Sequence, residues 1–398
     1  MFTEVQIENY KSIQSLKINL GRVNVFIGEN GCGKSNILEA IALASAAAAN
    51  KLDNEFLAPR GIRVTEPEFM RSAFDKENVT KEIKITLERV DQNLLIFVMQ
   101  HDNKPYSNWT SVRTFNQASQ LVDSLKEQTD EQVLGYINKY LEKLVVTLVQ
   151  EGKVIPKDPP VFNLQMVLNA ISNNVIQTNL EITNFLIYSP ENSSLRTFIE
   201  EGQIQPLGTK GEGLLKLLRV LSNPPEKINE IKQRLELIDW FDDFKIYQNS
   251  EIERNIQIKD RYLDKELPYF NQRSSNEGFL FLMFYFALFV SDDTPKFFAI
   301  DNIENALNPK LCTRLIQELV ELAKKYDKQV IFTTHNPAVL DGLDLHDDEQ
   351  RLFTIYRNIY GHTKAERIFP PEPLDDDDPV PLSEAFLNGY IGGLPNNF

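Results

Sequence analysis

The chain is poor in cysteine, with Cys32 and Cys312 the two among 398 residues. Two isolated thiols are too few for a disulfide framework or a thiolate metal cluster, so both are expected to be small packing residues. Long apolar runs are missing as well. None reaches the roughly 18 residues of a membrane-spanning helix, and the N-terminus opens on a polar strand pattern, not a basic-plus-apolar leader. The expectation is a protein without membrane association, in the cytosol. Positive charge is scarce, with 42 Lys and Arg against 57 Asp and Glu, a net charge of −15. That balance argues against a protein that wraps DNA, while local basic patches remain compatible with it. What the chain does have is apolar content, 42% in a length sufficient for two or three domains and a large core.

Residues 23–36 read VNVFIGENGCGKSN. A buried-strand run turns directly into G-x-x-x-x-G-K-[ST], and helical text follows. This is the pattern of a phosphate cradle: glycines let successive N–H groups turn toward a phosphate, the helix N-terminus adds its positive dipole end, Lys34 reaches the β- and γ-phosphates, and the Ser35 hydroxyl ligates Mg²⁺. Asn30, Gly31, Cys32, Gly33, Lys34, Ser35 and Asn36 are therefore candidate ATP contacts.

The other chemistry-bearing text lies in the last third. Residues 274–278, SSNEG, open an unusually apolar helix, with Ser275 the expected N-cap. A buried-strand run over 297–300 ends in Asp301, a candidate Mg²⁺ carboxylate, followed by Asn302, Ile303 and Glu304. Residues 311–325 read as an amphipathic helix, and 329–333 as a second buried strand that ends at Thr334, His335, Asn336 and Pro337. A neutral imidazole there suits contact with a γ-phosphate or an attacking water.

Alternating text over residues 2–7 and 16–20 predicts a small antiparallel unit, and residues 82–99 a further β pair. A helix is expected over 37–49. From 115 to 149 the periodicity becomes helical with many charges, and helical text continues over 160–184, predicting a compact inserted arm without a sustained heptad repeat. Residues 228–241 read as amphipathic helix, 185–188 as a short strand. The glycine-punctuated stretch 207–218, with Lys210, Lys216 and Arg219, either approaches an anion or is a tight turn with a solvated basic face. Residues 351–369 predict a hairpin, PPEPLDDDDP a solvated linker, and the tail a short amphipathic docking segment. His101, His346 and His362 lack comparable context and are expected at the surface.

These motifs in this order resemble ATPases of the RecF, SMC and overcoming-lysogenisation-defect (OLD) group, over residues 1–50 and 270–365. In that group an N-[FY]-[KR]-S turn precedes the phosphate loop. Here it reads Asn9-Tyr10-Lys11-Ser12, so the resemblance places Lys11 near the nucleotide, although a solvated turn lysine is an equal reading of that residue alone. The resemblance further implies that Ser275, Glu277 and Gly278 form a signature touching the γ-phosphate bound to an opposite subunit. Asp301 becomes the Walker B carboxylate and His335 the switch histidine. The usual general base, a glutamate directly after the aspartate, is replaced by Asn302. An amide orients a water but takes no proton, so either Glu304 substitutes as base or hydrolysis is slow. The glutamine that senses Mg²⁺ in such ATPases is absent from the strand end at 185–192. Gln100 is a second candidate, and the sequence does not choose.

The implied fold is an α/β P-loop NTPase, an ABC-type ATPase head with a mixed β-sheet and a compact helical insertion. Its expected divisions are an N-terminal lobe over 1–110, the insertion over 111–184, a C-terminal lobe over 185–365, and an acidic linker and docking tail over 366–398. The resemblance implies a homodimer or higher oligomer that sandwiches ATP and Mg²⁺. It further implies a separate nuclease partner in bacterial anti-phage defence, as in Septu-type systems, since the roughly 30 residues after the hairpin are too few for a nuclease module. The alternatives are a RecF-like repair ATPase acting on DNA directly and a low-turnover nucleotide-gated scaffold or sensor.

Overall fold

A computed structural model of the chain describes residues 1–115, 181–198, 206–246, 255–267, 269–370 and 380–394. The inserted arm expected over 111–184 and the acidic linker fall for the most part outside the described residues.

Two sheets carry most of the core. The first is antiparallel, with strands β1 (Phe2–Tyr10), β2 (Ile13–Asn19), β4 (Ile83–Arg89), β5 (Leu94–Gln100) and β6 (Thr110–Phe115) in the order β2-β1-β4-β5-β6. β6 continues this sheet past residue 110, where the arm was expected to start. The second sheet combines β3 (Val23–Ile27), β7 (Ile187–Tyr188), β11 (Phe297–Ile300), β12 (Gln329–Thr334), β13 (Gln350–Arg357) and β14 (Thr363–Ile368) in the order β14-β13-β3-β12-β11-β7. All of its neighbours pair parallel except β14, which returns antiparallel along β13. β3, β11 and β12 are buried at every residue, which is why their text is mostly apolar. The parallel arrangement puts the carboxyl ends of β3, β7, β11 and β12 on one edge, where α/β sheets bind ligands.

Helix α1 (Lys34–Ala48) lies between the two sheets and is buried almost all round, so its alanine-rich text fits a helix with no solvent face. It starts at Lys34, three residues before the periodicity suggested. On the other side of the parallel sheet pack α2 (Leu214–Leu221), α3 (Glu226–Leu235), α4 (Glu277–Val290) and α5 (Pro309–Lys325). Every residue of α4 from Phe279 to Val290 is buried. At about 1.5–3 kcal/mol for each large apolar side chain, this one helix anchors that half of the core. Among the described residues no helix is long and apolar enough to cross a membrane.

A small antiparallel sheet of β8 (Phe241–Ile246), β9 (Ile256–Asp260) and β10 (Phe270–Asn271) closes over the start of α4. Trp240 and Phe241 stack on Phe279, with ring centroids 5.1 and 5.3 Å away. Here the structure corrects the expected helix over 228–241. α3 ends at Leu235, and Phe241 and Phe244 turn into this aromatic cluster as strand residues.

The two ends of the chain are stitched together. The Gln329 amide accepts from Phe2 N–H at 2.8 Å and donates to the Phe2 and Gly21 carbonyls at 2.6 and 2.8 Å. Arg22 pairs with Asp327 and Glu349. The buried Lys328 ammonium donates to the carbonyls of Ser291, Thr294 and Pro295, fixing the exit of α4 against the entry of β12. The tail helix α6 (Leu382–Leu387) docks back on the chain itself, burying Phe386 and donating Ser383 N–H to Asp341.

Candidate functional site

The phosphate loop joins β3 to α1, and two of its glycines are obligatory by space. A Cβ on Gly28 would lie 2.1 Å from the Ile355 carbonyl oxygen. One on Gly33, at φ +110°, would lie 2.1 Å from Thr363 Oγ1. Asn30 and Gly31 form the exposed crown, while Cys32 is buried beneath it, its thiol pKa raised by desolvation. The Lys34 ammonium is buried and donates to the Gly28 and Glu29 carbonyls at 2.8 and 3.0 Å, poised inside the loop. Burial lowers its pKa, and the neighbouring thiol and the carboxylates of Asp301 and Glu304 oppose that shift.

Asp301, at the end of β11, receives Ser35 Oγ at 3.1 Å and also the Thr333 hydroxyl of β12. Serine and aspartate oxygens thus converge at the foot of the loop. Two protein oxygens beside a phosphate site suit Mg²⁺, which keeps several waters and takes the rest of its shell from phosphates.

After Asp301 the chain curls tightly. Asn302 takes φ +57°, a conformation asparagine tolerates, and Ala306 takes +60°. Asn302 N–H donates to Thr333 Oγ1 at 2.9 Å, Ile303 N–H to the Thr333 carbonyl, and Leu307 N–H to the Glu304 carbonyl. This curl carries Glu304 to the end of β12, where its Oε1 accepts the His335 N–H at 2.8 Å. Its other oxygen, Oε2, is buried and has no hydrogen-bond partner among the described residues. His335 Nδ1 lies 3.4 Å from the Lys34 ammonium. Burial first, and Lys34 second, lower the His335 pKa, so the ring is neutral near pH 7. Lys34, Ser35, Asp301, Glu304 and His335 therefore share one site.

Lys11 occupies a neighbouring position. At φ +45° it projects from the β1–β2 turn onto α1, where its ammonium pairs with Glu39 and donates to the Arg63 carbonyl at 2.8 Å. Glu39, nearly fully buried, also accepts Arg63 Nε at 2.5 Å, and Arg63 donates to Asn36 Oδ1 at 2.9 Å. Asn36 donates to Ser12 Oγ, which is 2.6 Å from Thr363 Oγ1, and Thr363 donates to the Cys32 carbonyl. This relay ties the turn to the phosphate loop. Lys11, Arg63, Arg71 and Arg357, with Phe69 and Phe74, line an adjoining cavity of about 410 Å³. Sequence reading missed Arg63, because nothing local marks a residue whose partners lie 24 and 27 positions away.

The signature stretch is corrected in one detail. Asn276, not Ser275, caps α4, its Oδ1 accepting Phe279 N–H at 2.8 Å. Asn271 caps the preceding short turn, which carries the chain one residue further before α4 starts. Ser275 is left buried, 3% exposed, with a hydroxyl that has no partner among the described residues. Glu277 begins the first turn of the helix, and a Cβ on Gly278 would lie 3.0 Å from the Ala306 carbonyl oxygen, so the helix entry rests on the curl that follows Asp301. In urea denaturation Asn276→Ala should lower stability by about 1 kcal/mol, and Ser275→Ala should change it by less than about 0.5 kcal/mol. Equal losses in both would put the cap back on Ser275.

Gln100 is removed from the site. It lies on β5 in the antiparallel sheet, bonded to Glu82. The strand-end loop after β7 instead reaches it, since Ser189 and Glu191 line a cavity of about 390 Å³ together with Ser35 and Asp301. His101 packs on Trp109 and His362 on Phe74, both half-buried, while His346 is exposed.

Comparison with known proteins agrees with this geometry. Residues 1–186 match the family model described as "AAA ATPase domain", and residues 175–341 the model described as "AAA domain, putative AbiEii toxin, Type IV TA system". The chain is 29% identical over 114 residues to an uncharacterized protein of Methanocaldococcus jannaschii, covering 27% of this chain and 50% of that protein. It is 39% identical over 54 residues to the DNA replication and repair protein RecF of Bacillus mycoides, covering 13% of this chain and 14% of RecF. It thus spans half or less of the length of these relatives. The SmcHead bound to the C-winged helix domain of ScpA superposes with TM-score 0.53 at 14% identity, over 92% of this chain and 97% of that one. An Smc head domain with an extended coiled coil, bound to the C-terminal domain of ScpA derived from Pyrococcus furiosus, gives TM-score 0.50 at 14% identity, over 92% and 96%. The mixed α/β fold is that of the Smc head domains, and the two AAA family models together span the phosphate loop and the strands that carry Asp301 and His335.

Proposed function

We propose that this chain binds and slowly hydrolyses ATP, and that two copies close head to tail around two nucleotides, each lending its Ser275 helix entry to the triphosphate gripped by the other. The observation that carries the reading is the convergence of Lys34, Ser35, Asp301, Glu304 and His335 on one edge of the parallel sheet. Lys34 and the loop N–H groups bind the β- and γ-phosphates. Ser35 and Asp301 hold Mg²⁺, which when bound neutralises charge on the phosphate oxygens. Glu304 takes the proton of the attacking water as its oxygen bonds to the γ-phosphorus and the bond to the β,γ-bridging oxygen breaks, yielding ADP and phosphate. Neutral His335 holds the water and the γ-phosphate in line. The in-trans role of this stretch is supported by the resemblance of residues 274–278 to the signature and by their place at the entry of α4, against the curl that follows Asp301.

The reading is tested by phosphate release from ATP by the purified chain. Turnover should be slow, abolished by EDTA and restored by Mg²⁺. Absence of any Mg²⁺-dependent nucleotide binding would contradict it.

The proposal extends to a separate nuclease partner in bacterial anti-phage defence, regulated by the closure of the two heads. Its support is resemblance alone. A RecF-like repair ATPase is the second reading, favoured by the RecF similarity. Salt-sensitive DNA binding by the purified chain would select it. Asn302 in place of the usual glutamate favours a third, a low-turnover nucleotide-gated sensor, which would bind ATP tightly with negligible hydrolysis even beside partner and DNA.

A further inference from the structure

The glycine-punctuated loop over residues 207–213 takes no part in the chemistry above, yet the backbone brings it to the same edge. Asp301 N–H donates to the Tyr188 carbonyl at 2.9 Å, Ser189 N–H to the Thr209 carbonyl at 2.9 Å, and Glu191 N–H to the Lys210 carbonyl at 3.0 Å. Lys210 is therefore tied, through β7 and its exit, to the aspartate that holds the metal. The loop has a defined shape. Gly211 takes φ +97°, and a Cβ there would lie 2.4 Å from Leu195 Cδ2, while Gly213 N–H donates to the Leu207 carbonyl at 2.8 Å.

The Lys210 ammonium rests on the Glu191 carboxylate at 2.8 Å, a pairing that raises its pKa and keeps it charged. Both side chains are about half exposed. Both line the 390 Å³ cavity that contains Ser35 and Asp301. An exposed ion pair of this kind is weak, so a terminal phosphate carrying nearly two negative charges competes with Glu191 readily. Lysine suits such an exchange, being a compact charge on a flexible stem.

We propose that Lys210 is the γ-phosphate sensor of this ATPase, leaving Glu191 for the terminal phosphate of a bound triphosphate and so standing where the strand-end glutamine is missing. The assignment rests on ATP binding at the phosphate loop and deepens that reading, and its test separates the two. Binding of Mg²⁺-ADP and of a non-hydrolysable Mg²⁺-ATP analogue is measured by calorimetry on the full chain for wild type, Lys210→Ala and Lys210→Arg. Lys210→Ala should lose about tenfold in affinity for the triphosphate, as expected for one charge-assisted hydrogen bond, while its ADP affinity stays within about twofold of wild type. Lys210→Arg should recover most of the loss. Unchanged triphosphate affinity in Lys210→Ala, or an equal loss for both nucleotides, would overturn the sensor role while leaving the nucleotide reading intact. Failure of the wild-type chain to bind either nucleotide would overturn that reading, and the sensor with it.

Discussion

Lys34→Ala should lower ATP turnover by about 10²- to 10³-fold, the cost of removing one preorganised charged donor from a phosphoryl-transfer site. The magnitude follows from where the ammonium sits. It is 5% exposed, held by two carbonyls of its own loop, and its pKa is lowered by burial. Charge in so desolvated a place interacts strongly with a polyphosphate, because little water screens it. Lys34→Arg should not rescue, since a planar guanidinium is wider than the slot between Gly28 and Glu29. Nucleotide affinity by calorimetry and phosphate release by a coupled assay read the effect, and turnover within threefold of wild type would contradict it.

Glu304→Gln should reduce kcat by about 10²- to 10⁴-fold with little change in KM, as loss of a general base does. The prediction rests on the curl after Asp301, which presents the Glu304 carboxylate to the end of β12 with one oxygen on the His335 N–H and the other free of protein partners. Glutamine fills the same space and keeps an acceptor for that N–H, so the fold should be unaffected. The companion change, Asn302→Glu, should raise the slow turnover by restoring a carboxylate directly after the metal aspartate. It also places a non-asparagine residue at φ +57°, which costs roughly 1 kcal/mol of stability, so kcat must be read below the melting range. A silent Glu304→Gln together with no acceleration in Asn302→Glu would remove Glu304 from the chemistry.

Much of this site was legible because its determinants are local. The phosphate loop follows from one octapeptide pattern between a strand and a helix, and Asp301 and His335 from the ends of two fully buried strands. The order of the parallel sheet was not legible, since β3 pairs with strands some 300 residues away. The misses have specific causes. Ser275 and Asn276 are both good caps, and which one is used depends on Asn271 capping the turn before it, a detail one residue wide. The helix expected to reach 241 stops at Leu235 because tertiary contacts of Phe241 outweigh a helical spacing. Arg63 gains its position from long-range pairing with Glu39, of which periodicity carries no trace, and the sequence left Lys210 open between an anion contact and a solvated face because the Ser189–Thr209 hydrogen bond that places its loop is not local either.

The central claim concerns two copies of the chain, and analytical ultracentrifugation measures it directly. With Mg²⁺ and a non-hydrolysable ATP analogue, the wild-type chain should double its mass relative to the nucleotide-free sample. Glu277→Arg, which reverses the charge on the partly exposed first turn of α4, should bind the analogue and gain no mass. A wild-type chain that binds the analogue at unchanged mass, or a Glu277→Arg chain that associates as wild type does, would contradict the exchange of this helix entry between facing sites.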